Sequence, residues 1–291
     1  MASQGLLNGK PLSIGSLMRH FWRQISVTWF LTLLETGLLA TLPLLIGMSI
    51  DGLLSDSWTS FFWLLSAMAL VLLLAVARRA YDTRAYGNMA VELGDAVAEN
   101  GRDQPVSAVN ARVEMSHELI QFLEDEAPIL LTAIVQIIVS LGVLFAFHGA
   151  LAASAGGATL AGLLIYTLSA KRFYALNHDM NAQAEQQVAI LSGRERSAIR
   201  HHLSLLRGHY VRLSDTEAIV YGLIFAVLLA MLGFNLWFAA TQTAASPGQI
   251  FSIVVYSFEF LESAIALPAA LQSLTRLAEI TQRINGEAKA A

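Results

Sequence analysis

Six stretches of mostly apolar residues, each about twenty residues long, limit most what this chain can fold into. A helix of that length crosses a bilayer, and lipid requires every backbone polar group to be hydrogen-bonded within the protein. Only 14% of the residues are charged, whereas soluble domains carry about 25%. The sequence therefore predicts an all-α membrane protein with six transmembrane helices. The predicted spans are 25–50, 58–76, 127–147, 150–169, 216–240 and 248–271.

The basic residues predict how the chain is oriented. All 18 of them precede the first span, follow the last, or lie in the two long connections, 77–126 and 170–215. The short connections carry none. Because positively charged segments stay in the cytoplasm, we expect both termini and both long connections to be cytoplasmic. The predicted location is the inner (plasma) membrane, crossed several times.

The two long connections are rich in helix-forming residues and predict two helical hairpins. The first turns at GRDQPV (101–106), and the second breaks near Ser192-Gly193. Each arm of about 20 residues would extend roughly 30 Å beyond the membrane.

The first 24 residues contain an amphipathic pattern, which we interpret as a helix along the inner membrane surface. The alternative is an extension of the first span into the cytoplasm. The predicted domains are this segment (1–24), a six-helix membrane domain (25–286) and a tail (287–291). The apolar face consists of Ile14, Leu17, Met18, Phe21, Trp22 and Ile25.

Three acidic residues, Glu35, Glu259 and Glu262, fall near the middle of predicted spans. A charge there costs about 2.5–3.5 kcal/mol on insertion scales. No lysine or arginine lies inside a span, so we expect no intramembrane salt bridge. The functional hypothesis is a pathway for a substrate or for protons, with Glu259 and Glu262 on one helix face. The alternative is that the acids are protonated and hydrogen-bonded between helices.

The remaining polar residues favour structural roles. Gln136, Ser140 and Asn235 predict hydrogen bonds between helices, and we expect His201, His202 and His209 to be surface residues. The chain has no cysteine, and no arrangement of side chains indicates a metal site or a catalytic nucleophile. We therefore expect no enzyme and no catalytic residues, and there is no basic patch for nucleic acid.

Three stretches carry a resemblance to a known family. They are TLPLLIGMSIDGLL (41–54), RVEMSHELIQFLEDEAPILLTAIVQIIVSLGVLF (112–145) and SPGQIFSIVVYSFEFLESAIALPAALQSLTRLAEITQRI (246–284), with Pro268 inside the last. Their order resembles the transmembrane domain of ABC exporters, the type 1 exporter fold, over about residues 14–286. The resemblance implies a homodimer, or a heterodimer with a similar subunit.

The sequence departs from full exporters in two ways. In those proteins an ATPase domain follows the stretch matching Arg283-Ile284, whereas this sequence continues only to Ala291. It contains no G-x-x-x-x-G-K-[ST] motif, so we expect no cofactor in this chain and ATP only through a partner subunit. The first hairpin turn is also shorter than in exporters, which favours the second turn for docking. The candidate ATPase-coupling turns are Gly101, Arg102 and Asp103, and Gly193, Arg194 and Glu195.

Three functions remain open on this basis. The first is the membrane subunit of a transporter for a small molecule or peptide, driven by a separate ATPase. The second is an ATP-independent, proton-coupled transporter of the same fold. The third is a non-transporting membrane scaffold or accessory subunit.

Overall fold

The computed structural model describes residues 14–100, 102 and 106–266, and almost all of them are helical. Several features predicted from the sequence fall outside these residues: Gly101, Asp103, Pro268, Arg283 and the end of the sixth span. The helices are α1 (Ile14–His20), α2 (Trp22–Leu54), α3 (Thr59–Asn100), α4 (Val106–Gln121), a π-helical turn (Phe122–Glu126), α5 (Ala127–Phe147), α6 (Gly149–Glu185), α7 (Gln187–Ser192), α8 (Arg196–Gln242) and α9 (Pro247–Ala266).

Six helical segments in the described part of the chain are long and apolar enough to cross a membrane. They match the six predicted spans, which confirms the prediction of an all-α membrane protein. Both predicted hairpins are present as well. α3 continues to Asn100 and α4 starts at Val106, while α7 ends at Ser192 and α8 starts at Arg196. Below, the end of a span that adjoins a hairpin is called the hairpin end, and the other is called the short-loop end.

The chain divides into two compact units. Unit 1 comprises residues 1–143 and 243–291, and unit 2 comprises residues 144–242. A buried apolar cluster of unit 1 lies in its first hairpin, where α3 and α4 pack against each other and against α1. Its members include Tyr86, Met89, Leu93, Leu119 and Leu123.

The amphipathic N-terminal segment packs into that cluster. Leu17 and Phe21 are 1% and 2% exposed, and His20 Nε2 lies 3.0 Å from the carboxylate of Glu92 on α3. Leu17, Phe21 and Ile25 of the predicted apolar face are thus covered by the first hairpin, whereas Trp22 of the same face is 57% exposed. The position of this segment along the membrane surface stays a prediction. The division of the chain at residues 24 and 286 stays a prediction.

The π-helical turn at Phe122–Glu126 was not predicted. Such a turn contains one extra residue, so its backbone hydrogen bonds join residues five apart in sequence and not four apart as in an α-helix. The fully buried Tyr86 stabilises it, because its hydroxyl donates to the carbonyl oxygen of Leu123 at 2.8 Å. As a result, the acidic residues Glu124 and Asp125 sit at a local irregularity directly before α5.

Unit 2 is a long antiparallel pair, α6 and α8, closed by the short α7. Its spans meet through small residues such as Ala155 and Ala158, and the Ser154 hydroxyl donates to Asn235 Oδ1 at 2.5 Å. That hydrogen bond between helices is the type predicted for Asn235. In the hairpin, His202 is only 2% exposed and lies 2.8 Å from Gln183. The prediction that His202 is a surface residue was therefore wrong.

Candidate functional site

Unit 1 is built around a close contact between α2 and α9 at the short-loop end. Gly47 and Gly248 face each other so closely that a Cβ atom added to either would overlap the backbone of the other. Asp51 then caps the start of α9, because its Oδ1 accepts from the Gly248 N–H at 2.9 Å and its Oδ2 from the Ser246 hydroxyl. Two glycines and one carboxylate thus join segments that are about 200 residues apart in sequence.

Further along the same interface, α9 supplies hydroxyl groups to α2. Ser252 donates to the carbonyl oxygen of Pro43 at 2.9 Å, and Tyr256 donates to that of Ala40. Both acceptors are backbone carbonyl oxygens close to Pro43, whose ring interrupts the hydrogen bonds of its own helix. The contacts align α9 antiparallel to α2 and determine which residues of the two helices lie opposite each other.

The alignment of α2 with α3 gives Glu35 a partner on the neighbouring helix. The apolar part of α3 begins at Thr59 and ends before Arg78, about 20 residues or roughly 30 Å, which is the thickness of the hydrocarbon core. Arg78, at the hairpin end of this apolar part, contacts Glu35. Glu35 therefore lies level with the hairpin end of the apolar part of α3, and its depth in the membrane stays a prediction.

The same contact gives Glu35 a salt-bridge partner that we did not expect for an acid within a span. The Arg78 Nε donates to Glu35, and its Nη1 donates to Asp82 at 3.2 Å. The side chains are largely covered: 27% of Arg78, 13% of Glu35 and 6% of Asp82 are exposed. Because Arg78 lies just outside the predicted span, a count of charges within spans could not find it.

Glu259 has a different partner and a different depth. Its carboxylate accepts a hydrogen bond from the side-chain amide of Gln136, which lies near the middle of α5. Gln136 Nε2 also lies 3.5 Å from the Ser140 hydroxyl on its own helix. The hydrogen bond between helices predicted for Gln136 is thus present, and its partner is one of the acids.

A cavity of about 480 Å³ opens in unit 1 near the hairpin end. Glu35 and Glu262 both line it, whereas Glu259, one turn from Glu262, lies at Gln136. The π-helical turn contributes Glu124 and Asp125, and Glu124 lies 3.9 Å from Arg79. The other lining residues are hydroxyl-bearing or apolar: Thr32, Thr36, Leu39, Pro128, Ile129, Thr132, Ala133, Ser263 and Ala266.

The lining of this cavity is suited to binding a small molecule. Carboxylates, guanidinium groups, hydroxyls and apolar side chains share one wall, which is the mixture expected where a small molecule is held and oriented. Within residues 14–100, 102 and 106–266, no three histidine or acidic side chains are close enough to hold a metal ion. Sequence reasoning identified Glu35 and Glu262 here but missed Arg78, Glu124 and Asp125.

The candidate coupling turn of unit 2 has a distinctive backbone. Arg194, between Gly193 and Glu195, adopts a positive φ of 52°, which a non-glycine residue rarely does. The Ser197 hydroxyl donates to the Glu195 carboxylate and stabilises the start of α8. Of the first candidate turn, Arg102 is described, and it lies 3.6 Å from Glu99.

Comparison with known proteins agrees with this architecture. A sequence family described as the ABC transporter transmembrane region matches residues 15–248, which is most of the chain. No individual curated protein matches this chain. The six membrane-spanning helices, the two hairpins and the family match together show that this chain belongs to the family of ABC transporter transmembrane regions.

Proposed function

We propose that this chain is the membrane-spanning subunit of a transporter that moves a small molecule or peptide and is driven by a separate ATPase subunit. The observation that carries the proposal is the cavity of about 480 Å³ at the hairpin end of unit 1. It is bordered by charged residues inside an otherwise apolar bundle, where an unused charge would be costly. Such charges are retained where they line a pathway.

The rest of the proposal concerns arrangement in the membrane. The distribution of basic residues supports both termini and both hairpins on the cytoplasmic side of the inner membrane. With that orientation the cavity opens toward the cytoplasm. Two copies, or one copy and a similar subunit, form the complete transporter. The ATPase docks at the second hairpin turn, Gly193 to Glu195, because the rigid helices α6 and α8 can transmit its movement.

A proton-driven version is the second candidate, and one contact favours it. Glu259 lies at the middle of its span against Gln136, and Glu262 lines the cavity one turn away. Two carboxylates at successive depths form the kind of relay through which protons cross transporters. In this version no ATPase is required.

The test measures transport in membrane vesicles from the native cell, prepared in both orientations. A panel of labelled cationic, neutral and anionic small molecules and a short peptide is supplied, with ATP plus an uncoupler in one arm and an imposed pH gradient in the other. We expect ATP-dependent, uncoupler-insensitive movement of at least one compound that is lost when the chain is deleted. Movement only under the pH gradient would establish the second candidate, and movement in neither arm would indicate a scaffold.

Purified protein in liposomes separates the two energy sources further. We expect no proton flux under a pH gradient, either from the unaltered protein or from Glu259→Gln/Glu262→Gln. Flux that this double variant abolishes would replace the ATPase proposal by the proton-driven one. Asp56→Asn is the matched control, because Asp56 is an exposed acid in a short connection and asparagine also tolerates its positive φ of 58°.

A further inference from the structure

Arg78 holds two carboxylates at once in the wall of the cavity. It donates through Nε to Glu35 on α2 and through Nη1 to Asp82, one turn further along α3. Of the three side chains it is the most exposed, at 27%. Its guanidinium therefore occupies the place beside Glu35 that a positive charge entering the cavity would take.

We infer that Arg78 is a tethered substitute for a cationic ligand: an organic cation with an apolar body binds in the cavity by displacing the Arg78 guanidinium from Glu35 toward Asp82. This inference rests on the proposed function, since it assigns the ligand class to the cavity proposed there as the substrate site. It adds a defined exchange of partners, in which no positive or negative charge is left unpaired.

Asp82 makes the exchange favourable. It lies four residues from Arg78 on one helix face, so a change of side-chain rotamer is enough to reach it. Its Oδ2 already accepts from Arg78, while its Oδ1 is buried beside the Thr28 hydroxyl, and neither of these two buried atoms makes a well-formed hydrogen bond among the described residues. A guanidinium released from Glu35 can therefore form a bidentate pair with Asp82, which is the strongest geometry available to it.

The lining of the cavity selects the class of ligand. It contains four carboxylates and two guanidinium groups, which leaves an excess of two negative charges. Leu39, Ile129 and Ala133 provide an apolar surface for the body of the ligand, and the volume lies within the usual range for small-molecule sites. An anion, in contrast, would draw Arg78 away and leave Glu35 as a largely buried, unpaired charge, which is strongly unfavourable.

The test measures binding of ethidium, a permanent aromatic monocation whose fluorescence reports binding, to the full chain in nanodiscs of zwitterionic lipid. Empty nanodiscs give the background. In Arg78→Gln the competitor for Glu35 is gone, so we expect binding about tenfold tighter than in the unaltered protein. Arg79→Gln is the matched control: it removes the same charge from the same cavity but from beside Glu124, and we expect a change within about twofold.

Two further variants cover the case in which Arg78→Gln alone does not fold. Glu35→Gln/Arg78→Gln keeps the net charge and removes the carboxylate that would hold the cation, although Asp82 loses its ionic partner. We expect this double variant to bind ethidium at least about tenfold more weakly than the unaltered protein. Asp82→Asn removes the alternative carboxylate, and we expect several-fold weaker binding.

The inference is overturned if both arginine variants tighten binding equally, if the charge-neutral double variant binds normally, or if neither the unaltered protein nor Arg78→Gln binds ethidium. These outcomes do not depend on transport. If the affinities follow the expected order but no ATP-driven transport is found, the proposed function alone is overturned. If ATP-driven transport is found but Arg78→Gln binds ethidium with unchanged affinity, this inference alone is overturned.

Discussion

The two units of the chain place polar residues in their spans very differently. Unit 1 carries Glu35, Glu259 and Glu262 on its membrane helices, with Arg78 at their edge, and each acid lies against a partner or the cavity. The spans of unit 2, in contrast, meet through small residues and through the pair Ser154 and Asn235. Unit 1 therefore has the groups that can recognise a ligand, whereas unit 2 has the features of a mechanical element.

The strongest test concerns the glycine contact that aligns α2 and α9. Gly248→Ala places a methyl group against the carbonyl oxygen of Gly47 and the carboxylate of Asp51, so the helices must separate. We expect the free energy of unfolding in mixed micelles to fall by about 3 kcal/mol or more, and the cavity residues to lose their alignment. Gly222→Ala in unit 2 is the control. The space around Gly222 is open, so alanine should stabilise α8 by up to about 1 kcal/mol. Equal effects of the two changes would contradict the importance of the contact.

The second test concerns the buried histidine of the second hairpin. His202→Ala leaves Gln183 without its partner and creates a cavity between α6 and α8, so we expect a loss of about 2 kcal/mol. Hydrogen exchange should increase in the hairpin of unit 2 and remain unchanged in unit 1. The exposed neighbour His201 provides the control, and His201→Ala should change stability by less than about 0.5 kcal/mol. Faster exchange spreading through unit 1 would show that the units are not independent.

Most of the architecture could be predicted from the sequence, because lipid leaves the backbone few choices. Apolar length identified the spans, and helix-forming residues bounded by a glycine or a proline identified the hairpins. The burial of His202 could not be predicted in the same way. In a long helix of mixed polarity, the partner helix determines which residue is covered, and Gln183 lies on a different helix from His202.

The candidate site was predictable only in part. An acid in an apolar stretch stands out in any sequence, so Glu35 and Glu262 were identified. Arg78 did not stand out because it lies where a basic residue is expected, directly after a span. Its contact with Glu35 depends on how far α2 and α3 are displaced along each other, and short side-chain contacts between distant segments determine that displacement.

The third test concerns the π-helical turn, the irregularity of unit 1 that has no counterpart in unit 2 among the described residues. Tyr86→Phe removes the hydroxyl that donates to Leu123 and leaves the packing otherwise intact. We expect the free energy of unfolding to fall by about 1–1.5 kcal/mol. Ethidium binding should also weaken, because Glu124 and Asp125 belong to this turn and line the cavity. Tyr174→Phe, at a tyrosine that is 76% exposed in unit 2, should change neither property. Normal binding by Tyr86→Phe would show that the turn does not position the cavity.

The smallest expected effect tests the structural role of the pair Ser154 and Asn235 in the spans of unit 2. Ser154→Ala removes the hydroxyl that donates to Asn235 without changing the close approach of α6 and α8. Hydrogen bonds between membrane helices contribute about 0.6 kcal/mol on average, because the unfolded chain in the membrane also finds partners. We therefore expect a loss of about that size, measured as for Gly248→Ala, and no change in ethidium binding. Gln136→Leu in unit 1 is the informative comparison: it deprives Glu259 of its amide partner, so its cost should be several times larger. If Ser154→Ala weakened ligand binding as much as Gln136→Leu, recognition would involve both units, and the division of roles between them would be wrong.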